Sequence, residues 1–255
     1  MSWKIDKIHK EIDMKELNIL VANDDGIDAP GLAKLVAAAA RFGKVWVAAP
    51  AAQCSGMSHK LTIFDPISIE EVVYPVKVEA AWKIGGTPAD CVKMAITALM
   101  PVKPDWVFSG INKGHNGGHD IAYSGTIGAA MEGLLNNVPA MAFSNEMKSG
   151  FEVIDAYLEP IIAELLQEPV SLTHVWNVNF PGCALEDVKG IQRNVSIAPM
   201  GLFENFYTKL ALETGAEAMR PDATLLTLDR APVGTDLHAV LDGYIAIGKV
   251  KCVVK

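Results

Sequence analysis

The chain has 255 residues, 50% of them hydrophobic, which fits one large globular domain with or without an extension. Its 30 acidic and 22 basic residues give a net charge of −8, which argues against nucleic acid or an anionic membrane as the main partner because both require a basic surface. The four cysteines are scattered without a CxxC pair, and no apolar run approaches the ~20 residues of a membrane span, so we expect reduced thiols, no zinc cluster and a cytoplasmic location.

Residues 1–16 form an extension before the first predicted strand. Ile5, Ile8 and Ile12 recur at helical spacing, so this segment is either a short amphipathic helix or a frayed tail. It mixes charged and apolar residues and has no apolar core typical of a signal peptide.

Strand-like and helix-like runs alternate over residues 17–182, which we assign to the core. This alternation implies crossover connections, and therefore an α/β fold with a doubly wound, mainly parallel sheet and helices on both faces. The predicted strands are Ile19–Ala22, Lys44–Ala49, Trp106–Ser109, Ala140–Phe143 and Val175–Phe180, with hairpin strands in Leu61–Phe64 and Ile67–Val78. The predicted helices are Gly31–Phe42, Thr87–Met100 (with Thr87 as N-cap), Thr126–Leu135 and Glu152–Gln167.

The alternation weakens after Gly182, so residues 183–255 are predicted to form a smaller, β-rich C-terminal arm. Val240–Val254 is rich in valine and isoleucine and predicts a β tail. An unpaired apolar edge strand is an aggregation hazard, so we expect Ala239–Val254 to form an edge strand that pairs with a second subunit.

Two adjacent carboxylates, Asp24 and Asp25, follow the first predicted strand directly. Like charges this close oppose each other's ionisation, and a divalent cation is the obvious compensation. Neighbouring side chains of a strand point to opposite faces, so only the sharp turn that Gly26 permits can aim both carboxylates at one point. The alternative is a solvated turn, because Asn, Asp and Gly are the usual turn residues.

Two further polar segments follow other predicted strands. Ligands of open α/β sheets bind beyond the carboxyl ends of the strands, so we expect Gln53–Ser58 and the glycine-rich Ser109–Thr126 to converge on the aspartate pair. Ser55 and Asn112 would add oxygen donors there, although a lone serine is more often an ordinary loop residue. A ligand set made only of oxygen atoms favours Mg²⁺, Mn²⁺ or Ca²⁺ over zinc or copper.

Ser124, Gly125 and Thr126 lie at the beginning of a predicted helix. Their hydroxyls and free backbone amides form a ready anion site, and an ordinary helix cap is the alternative. A metal ion beside such a site lowers the pKa of bound water and neutralises phosphoryl charge. Hydrolysis of a phosphate ester is therefore the natural reaction.

Histidines in these loops are weaker candidates. His59, His115 and His119 could serve as a general acid or as metal ligands, but loop histidines are more often surface or structural residues. The chain lacks GxGxxG after the first strand, GxxxxGK[ST] and GxSxG, which disfavours a dinucleotide-binding domain, a P-loop NTPase and a serine hydrolase of the nucleophile-elbow type.

Several segments together resemble the SurE survival-protein family. They are NDDGIDAPG, AAP followed by Ser55–Gly56, GGTPADCVKMA, SGINKGHNGGHDIAYSGTIGAAMEG, NVNFP and GTDLHAVLDGYIAI. The resemblance implies a Rossmann-like sheet and metal-dependent hydrolysis of nucleoside 5′- and 3′-monophosphates with one divalent ion, Mg²⁺ or Mn²⁺. It also implies a homodimer or homotetramer whose subunits exchange C-terminal elements.

The same resemblance assigns roles to individual residues. It places the family's metal ligands on Asp24, Asp25, Ser55 and Asn112, with the two aspartates also serving as catalytic residues. The candidate phosphate-binding residues are Asn23, Gly56, Asn116, Ser124, Gly125 and Thr126.

The chain departs from the family pattern at two places. Gln53 and Cys54 stand where the family often has a basic residue, and Glu204–Asp229 lacks the expected basic-glycine and Tyr-Trp pattern, which leaves substrate preference and arm geometry open. The main alternative function is a nucleotide-binding regulatory module without turnover. The third hypothesis is a purely structural oligomerisation protein, a function that would leave the clustered polar loops unexplained.

Overall fold

The computed structural model describes residues 16–204, 207–212 and 216–255. The strands of its main sheet are β1 (Leu17–Ala22), β2 (Gly43–Pro50), β3 (Ile69–Glu71), β4 (Ala80–Ile84), β5 (Trp106–Lys113), β6 (Ala140–Asn145), β7 (His174–Asn179), β8 (Gly190–Val195) and β13 (Tyr244–Lys251). Two small ribbons pair β9 (Phe203–Glu204) with β12 (Thr224–Leu225) and β10 (Tyr207–Ala211) with β11 (Glu217–Pro221). The helices are α1 (Pro30–Ala39), α2 (Pro88–Met94), α3 (Gly125–Leu135), α4 (Glu152–Leu165) and α5 (Asp236–Leu241).

The main sheet has the strand order β3-β4-β2-β1-β5-β6-β7-β13-β8. The six strands β4, β2, β1, β5, β6 and β7 are parallel to one another. β3 runs antiparallel to β4, and β13 runs antiparallel to β7. The predicted doubly wound, mainly parallel sheet is thus confirmed. The chain leaves β1 toward β2 and later returns to β5 on the other side of β1. The carboxyl ends of β1 and β5 therefore flank the topological switch point, where ligands of such sheets bind.

Helices cover both faces of the sheet because its central strands are apolar on both sides. Ile19 and Val21 of β1 pack in the cluster that contains the buried side chains of α1 and α4. Leu20 and Ala22 face the opposite cluster, which contains those of α2 and α3. Successive side chains of β1 point to opposite faces of the sheet, so α1 and α4 cover one face and α2 and α3 cover the other.

The predicted hairpin is wrong in most of its extent. Residues 61–64 contain no strand, and the only strand within 67–78 is β3, which pairs with β4, a strand not predicted from the sequence. Phe64 and Val73 are almost fully exposed, at 93% and 102% relative accessibility, whereas Val72, Tyr74, Val76 and Val78 pack against the core but are only partly buried. β-propensity without full burial does not hold a strand here.

The predicted C-terminal tail is right for β13 and wrong on both sides of it. Residues 236–241 form α5, whose N-cap Thr235 accepts a hydrogen bond from the backbone nitrogen of His238 at 3.3 Å. β13 is an interior strand between β7 and β8, with Ile245 and Ile247 buried, and not an edge strand that requires a second subunit.

Other local predictions have mixed outcomes. Thr87 caps α2 as predicted, in a capping box with Asp90, but the α-helix ends at Met94 and continues as a π-helical turn, Ala95–Leu99. All four cysteines are free thiols. The segment around Ile5–Ile12, for which the sequence left a short helix and a frayed tail open, lies outside the described residues. Among the described helices, none is both long and apolar enough to cross a membrane.

Candidate functional site

A closed turn after β1 aims the two aspartates into the switch-point crevice. The amide of Asn23 both donates to the Gly26 carbonyl at 2.9 Å and accepts from the Gly26 backbone nitrogen at 3.2 Å. Gly26 has φ +103°, a conformation that a side chain would strain. Asn23 is fully buried, so its side chain shapes the turn that presents Asp24 and Asp25.

Asp24 is the buried member of the pair, with 3% of its surface exposed. Its Oδ1 accepts a hydrogen bond of 2.6 Å from the Thr126 hydroxyl. Burial raises the pKa of Asp24 from 3.8 to about 6; the bond from Thr126 opposes this change and the adjacent charge of Asp25 adds to it. A nearby cation would stabilise the charged form of this buried carboxylate and lower its pKa.

Asp25 is partly exposed and connects the other two loops. Its Oδ2 accepts a hydrogen bond of 2.9 Å from the backbone nitrogen of Lys113 at the end of β5. The amide nitrogen of Gln53 lies 3.4 Å from Asp25 Oδ1 and 3.1 Å from the hydroxyl of Ser55. Gln53, in the position where a basic residue was expected, therefore links Ser55 to the aspartate pair.

Asn112 lies on β5 at the same crevice. Its side-chain nitrogen donates to the Gly114 carbonyl at 2.7 Å, which fixes the orientation of the amide. Together with Asp25 and Gln53 it lines a cavity of about 410 Å³, a size typical of small-molecule sites. The three loops that the sequence placed at strand ends thus converge as predicted.

The beginning of α3 packs directly on Asp24. A Cβ atom at Gly125 would lie 2.8 Å from the Cβ of Asp24, so only glycine permits this approach. Ser124 caps the helix by accepting from the backbone nitrogen of Ile127 at 3.1 Å, and the Thr126 hydroxyl is donated to Asp24. The positive end of the helix is therefore next to the aspartate pair.

Asn116 anchors the glycine-rich loop to the ends of β6 and β7. Its side-chain nitrogen donates to the Ser144 hydroxyl at 2.8 Å, its backbone nitrogen donates to Asn179 Oδ1 at 2.8 Å, and its carbonyl accepts from the amide of Asn177 at 2.8 Å. Gly56, by contrast, lies exposed at the tip of its loop with φ +72°.

Two carboxylates, Asp236 of the C-terminal segment and Asp120 of the glycine-rich loop, join these two parts of the chain through contacts that the sequence did not predict. Asp236, at the beginning of α5, accepts from the backbone nitrogen of Gly118 at 3.0 Å. Asp120 accepts from the backbone nitrogen of Leu202 at 2.7 Å. The Thr235–Asp236 cap was the available sequence signal, but nothing in it specified a partner 118 residues away.

Within the described residues, none of the three loop histidines hydrogen-bonds to the aspartate pair. His115 bonds through Nε2 to the Phe180 carbonyl at 2.7 Å, and burial lowers its pKa. His119 is exposed and is tied to Met200 only through its backbone nitrogen, at 2.8 Å. His59 pairs with Glu132 of α3 at 2.8 Å.

A metal site at the crevice would consist of mixed oxygen donors. In the part of the chain that the structure describes, no three or more His, Cys, Asp or Glu side chains are grouped to hold an ion. The available donors are the carboxylates of Asp24 and Asp25, the hydroxyl of Ser55 and the amide oxygen of Asn112. Such a set suits a hard cation.

Comparisons with known proteins agree with this architecture. A family model described as survival protein SurE matches residues 19–201. Proteins named 5′-nucleotidase SurE from Clostridium botulinum and Flavobacterium psychrophilum are 35% and 34% identical over 237 and 236 residues, with 91% of both chains covered in each case. The crystal structure of SurE protein from Aquifex aeolicus superposes with a TM-score of 0.78 at 33% identity, covering 92% of this chain and 93% of the other.

Proposed function

The chain belongs to the SurE family, and from that membership we propose that it is a 5′-nucleotidase that hydrolyses nucleoside monophosphates. One structural observation carries the proposal: the Asp24–Asp25 pair lies at the switch point, bonded to the beginning of α3 on one side and to the end of β5 on the other. This arrangement places paired carboxylates beside a helix N-terminus, which is a favourable position for a phosphate.

We further propose that Asp24, Asp25, Ser55 and Asn112 hold one divalent ion, Mg²⁺ or Mn²⁺. The all-oxygen donor set and the raised pKa of buried Asp24 support this. When bound, the ion would neutralise phosphoryl charge and lower the pKa of a water molecule that attacks the ester.

The protein's own groups have separable roles in this proposal. Thr126 holds the charged form of Asp24 through its hydroxyl, and the backbone of Lys113 orients Asp25. The backbone amide of Gly125 would bind a phosphate oxygen, whereas the backbone amide of Thr126 interacts with the Asp24 carboxylate and stabilises its charge. The proposed contact is with the phosphate and not with the sugar, so we extend the proposal to nucleoside 3′-monophosphates.

The nucleoside would lie in the cavity beside Asp25. Ile111 and Phe151 supply apolar walls, and Asn145 and Glu146 supply polar groups for a base or a sugar. Apolar walls with a few oriented polar groups are typical of such sites.

Phosphate release from a panel of nucleoside 5′- and 3′-monophosphates and an aryl phosphate tests the proposal. Assays with Mg²⁺, Mn²⁺ or a chelator would compare the wild type with Asp24→Asn, and with Asp155→Asn as a surface control. We expect turnover that disappears with chelator and with Asp24→Asn only. Nucleotide binding without turnover under any metal would favour the regulatory-module alternative instead.

We also propose that the protein is a homodimer or homotetramer. The ribbon formed by β10 and β11 supports an intersubunit contact, because Tyr207 and Met219 on it are 59% and 57% exposed. Light scattering of the purified chain would measure the mass, and a monomer at micromolar concentration would contradict this part of the proposal.

A further inference from the structure

The position of Ser55 depends on how the ends of its loop are held. Ser55 and Gly56 are exposed, and a Cβ atom at Gly56 would meet nothing within 4 Å. On the N-terminal side, the backbone nitrogen of Cys54 donates to the Asp24 carbonyl at 2.7 Å. On the C-terminal side, Ser58 donates through its backbone nitrogen to the Tyr123 carbonyl at 2.9 Å, and the next residue is His59.

His59 ties this second end to a buried carboxylate on α3. Its Nε2 lies 2.8 Å from Oε2 of Glu132, whose side chain is 1% exposed. The other carboxylate oxygen accepts from Lys93 Nζ at 3.0 Å and from the Asn136 amide at 2.9 Å. Glu132 is thus a buried anion with a partner on each oxygen, which is how buried charges are retained.

Glu132 is ionised in this arrangement. Burial by itself would raise the pKa of Glu132, but the hydrogen bonds from His59, Lys93 and Asn136 outweigh burial and hold the pKa below its usual value. An ionised carboxylate only accepts hydrogen bonds, so the Nε2 of His59 carries the proton.

The loop also lies against the backbone of α3. A Cβ atom at Gly128 would be 2.2 Å from the Ser58 carbonyl oxygen and 3.1 Å from the Cα of His59. One helix therefore contacts Asp24 through Thr126 and receives the Ser55 loop at Gly128 and Glu132.

We propose that Glu132, acting through His59, is a positioning residue that holds the Ser55 loop over the Asp24–Asp25 pair and thereby sets the affinity of the site for its divalent ion. This inference rests on the proposed metal-dependent function. Neither side chain would touch the ion. Removing partners that orient metal ligands typically costs about 10- to 100-fold in metal affinity.

Three substitutions in the full-length chain test the proposal. His59→Ala removes the bond to Glu132. His59→Gln is the conservative rescue, because its side-chain nitrogen is separated from the backbone by the same number of bonds as Nε2 and can donate to the same oxygen. Lys93→Met is the matched control, because it removes a bond to the same carboxylate from α2 without touching the loop.

Mn²⁺ affinity is measured directly, by electron paramagnetic resonance of the free ion, together with the Mn²⁺ dependence of phosphate release from a nucleoside monophosphate. We expect His59→Ala to raise the Kd for Mn²⁺ by about 10-fold or more. Its kcat at saturating Mn²⁺ and its Tm in chelator should stay near the wild-type values. His59→Gln should restore the affinity, and Lys93→Met should leave it unchanged.

Wild-type affinity in His59→Ala would overturn the inference, and wild-type turnover in the same assay would leave the proposed function intact. Equal losses in His59→Ala and Lys93→Met would also overturn it, since the contact between α2 and α3 would then set the affinity. A wild-type protein that neither binds Mn²⁺ nor releases phosphate would refute the proposed function, and the inference with it.

Discussion

Replacing Asp24 by asparagine should stabilise the metal-free protein at neutral pH while it abolishes turnover. Asp24 is 3% exposed and adjacent to a second carboxylate, so its charge is costly in the absence of a cation. Asparagine has nearly the same shape and keeps an oxygen that accepts the hydrogen bond from the Thr126 hydroxyl. The substitution therefore removes a buried charge and leaves the packing in place.

The size of the effect follows from the pKa of Asp24, which rises from 3.8 to about 6 on folding. Each pKa unit between the folded and unfolded states corresponds to about 1.4 kcal/mol, so the difference amounts to about 3 kcal/mol at most. Because the folded state binds this proton more tightly, the stabilising contribution is fully present below pH 3.8 and is lost as the pH rises through about 6. Asparagine does not titrate, so the advantage of the variant should be largest above pH 7 and should shrink toward pH 4.

Urea unfolding in chelator across this pH range measures the difference in the free energy of unfolding. Asp155→Asn is the control, because that carboxylate is 54% exposed in a surface ion pair with Lys34 and contributes less than about 1 kcal/mol. A variant less stable than the wild type at pH 8, or a difference that does not shrink with acid, would refute the reasoning. Added Mn²⁺ should stabilise the wild type and not Asp24→Asn.

Three further changes probe other parts of the site. Asp25→Asn should lower kcat by about 100-fold or more while the Tm in chelator is retained, because it removes a ligand charge from a partly exposed position; near-normal turnover would contradict the assignment of Asp25. Gly125→Ala should displace the Asp24 carboxylate, since the new Cβ would lie 2.8 Å from the Asp24 Cβ; we expect kcat to fall by about 100-fold, as small misplacements do, and a variant with wild-type kcat would contradict the close approach of α3 to Asp24. Thr87→Ala should lower the free energy of unfolding by about 1 kcal/mol or more, because the Thr87 hydroxyl caps α2 and also donates to the Lys60 carbonyl at 2.5 Å. Thermal unfolding measures this loss, and an unchanged Tm would contradict it.

Much of the candidate site was predictable because its chemistry is local in the chain. The Asp24–Asp25 pair, Asn112 and Thr126 each lie within a few residues of the end of an apolar strand or the beginning of a helix. Parallel strands bring such ends to one edge of the sheet, so their convergence follows from the alternation of strands and helices. The sequence could not assign hydrogen bonds within the site, such as Thr126 to Asp24 or Gln53 to Ser55, since those depend on side-chain geometry.

The sequence by itself determined the doubly wound sheet, the helix start at Thr87 and the three converging loops, because periodicity and turn residues act over a few positions. Only the tertiary structure decided that β13 is an interior strand and that the segment around Phe64 carries no strand. The same holds for the contact of His59 with Glu132, 73 residues apart, and of Gly118 with Asp236, 118 residues apart. Pairing and burial of distant segments depend on which surfaces meet in the folded chain, and a local pattern contains no information about its partner.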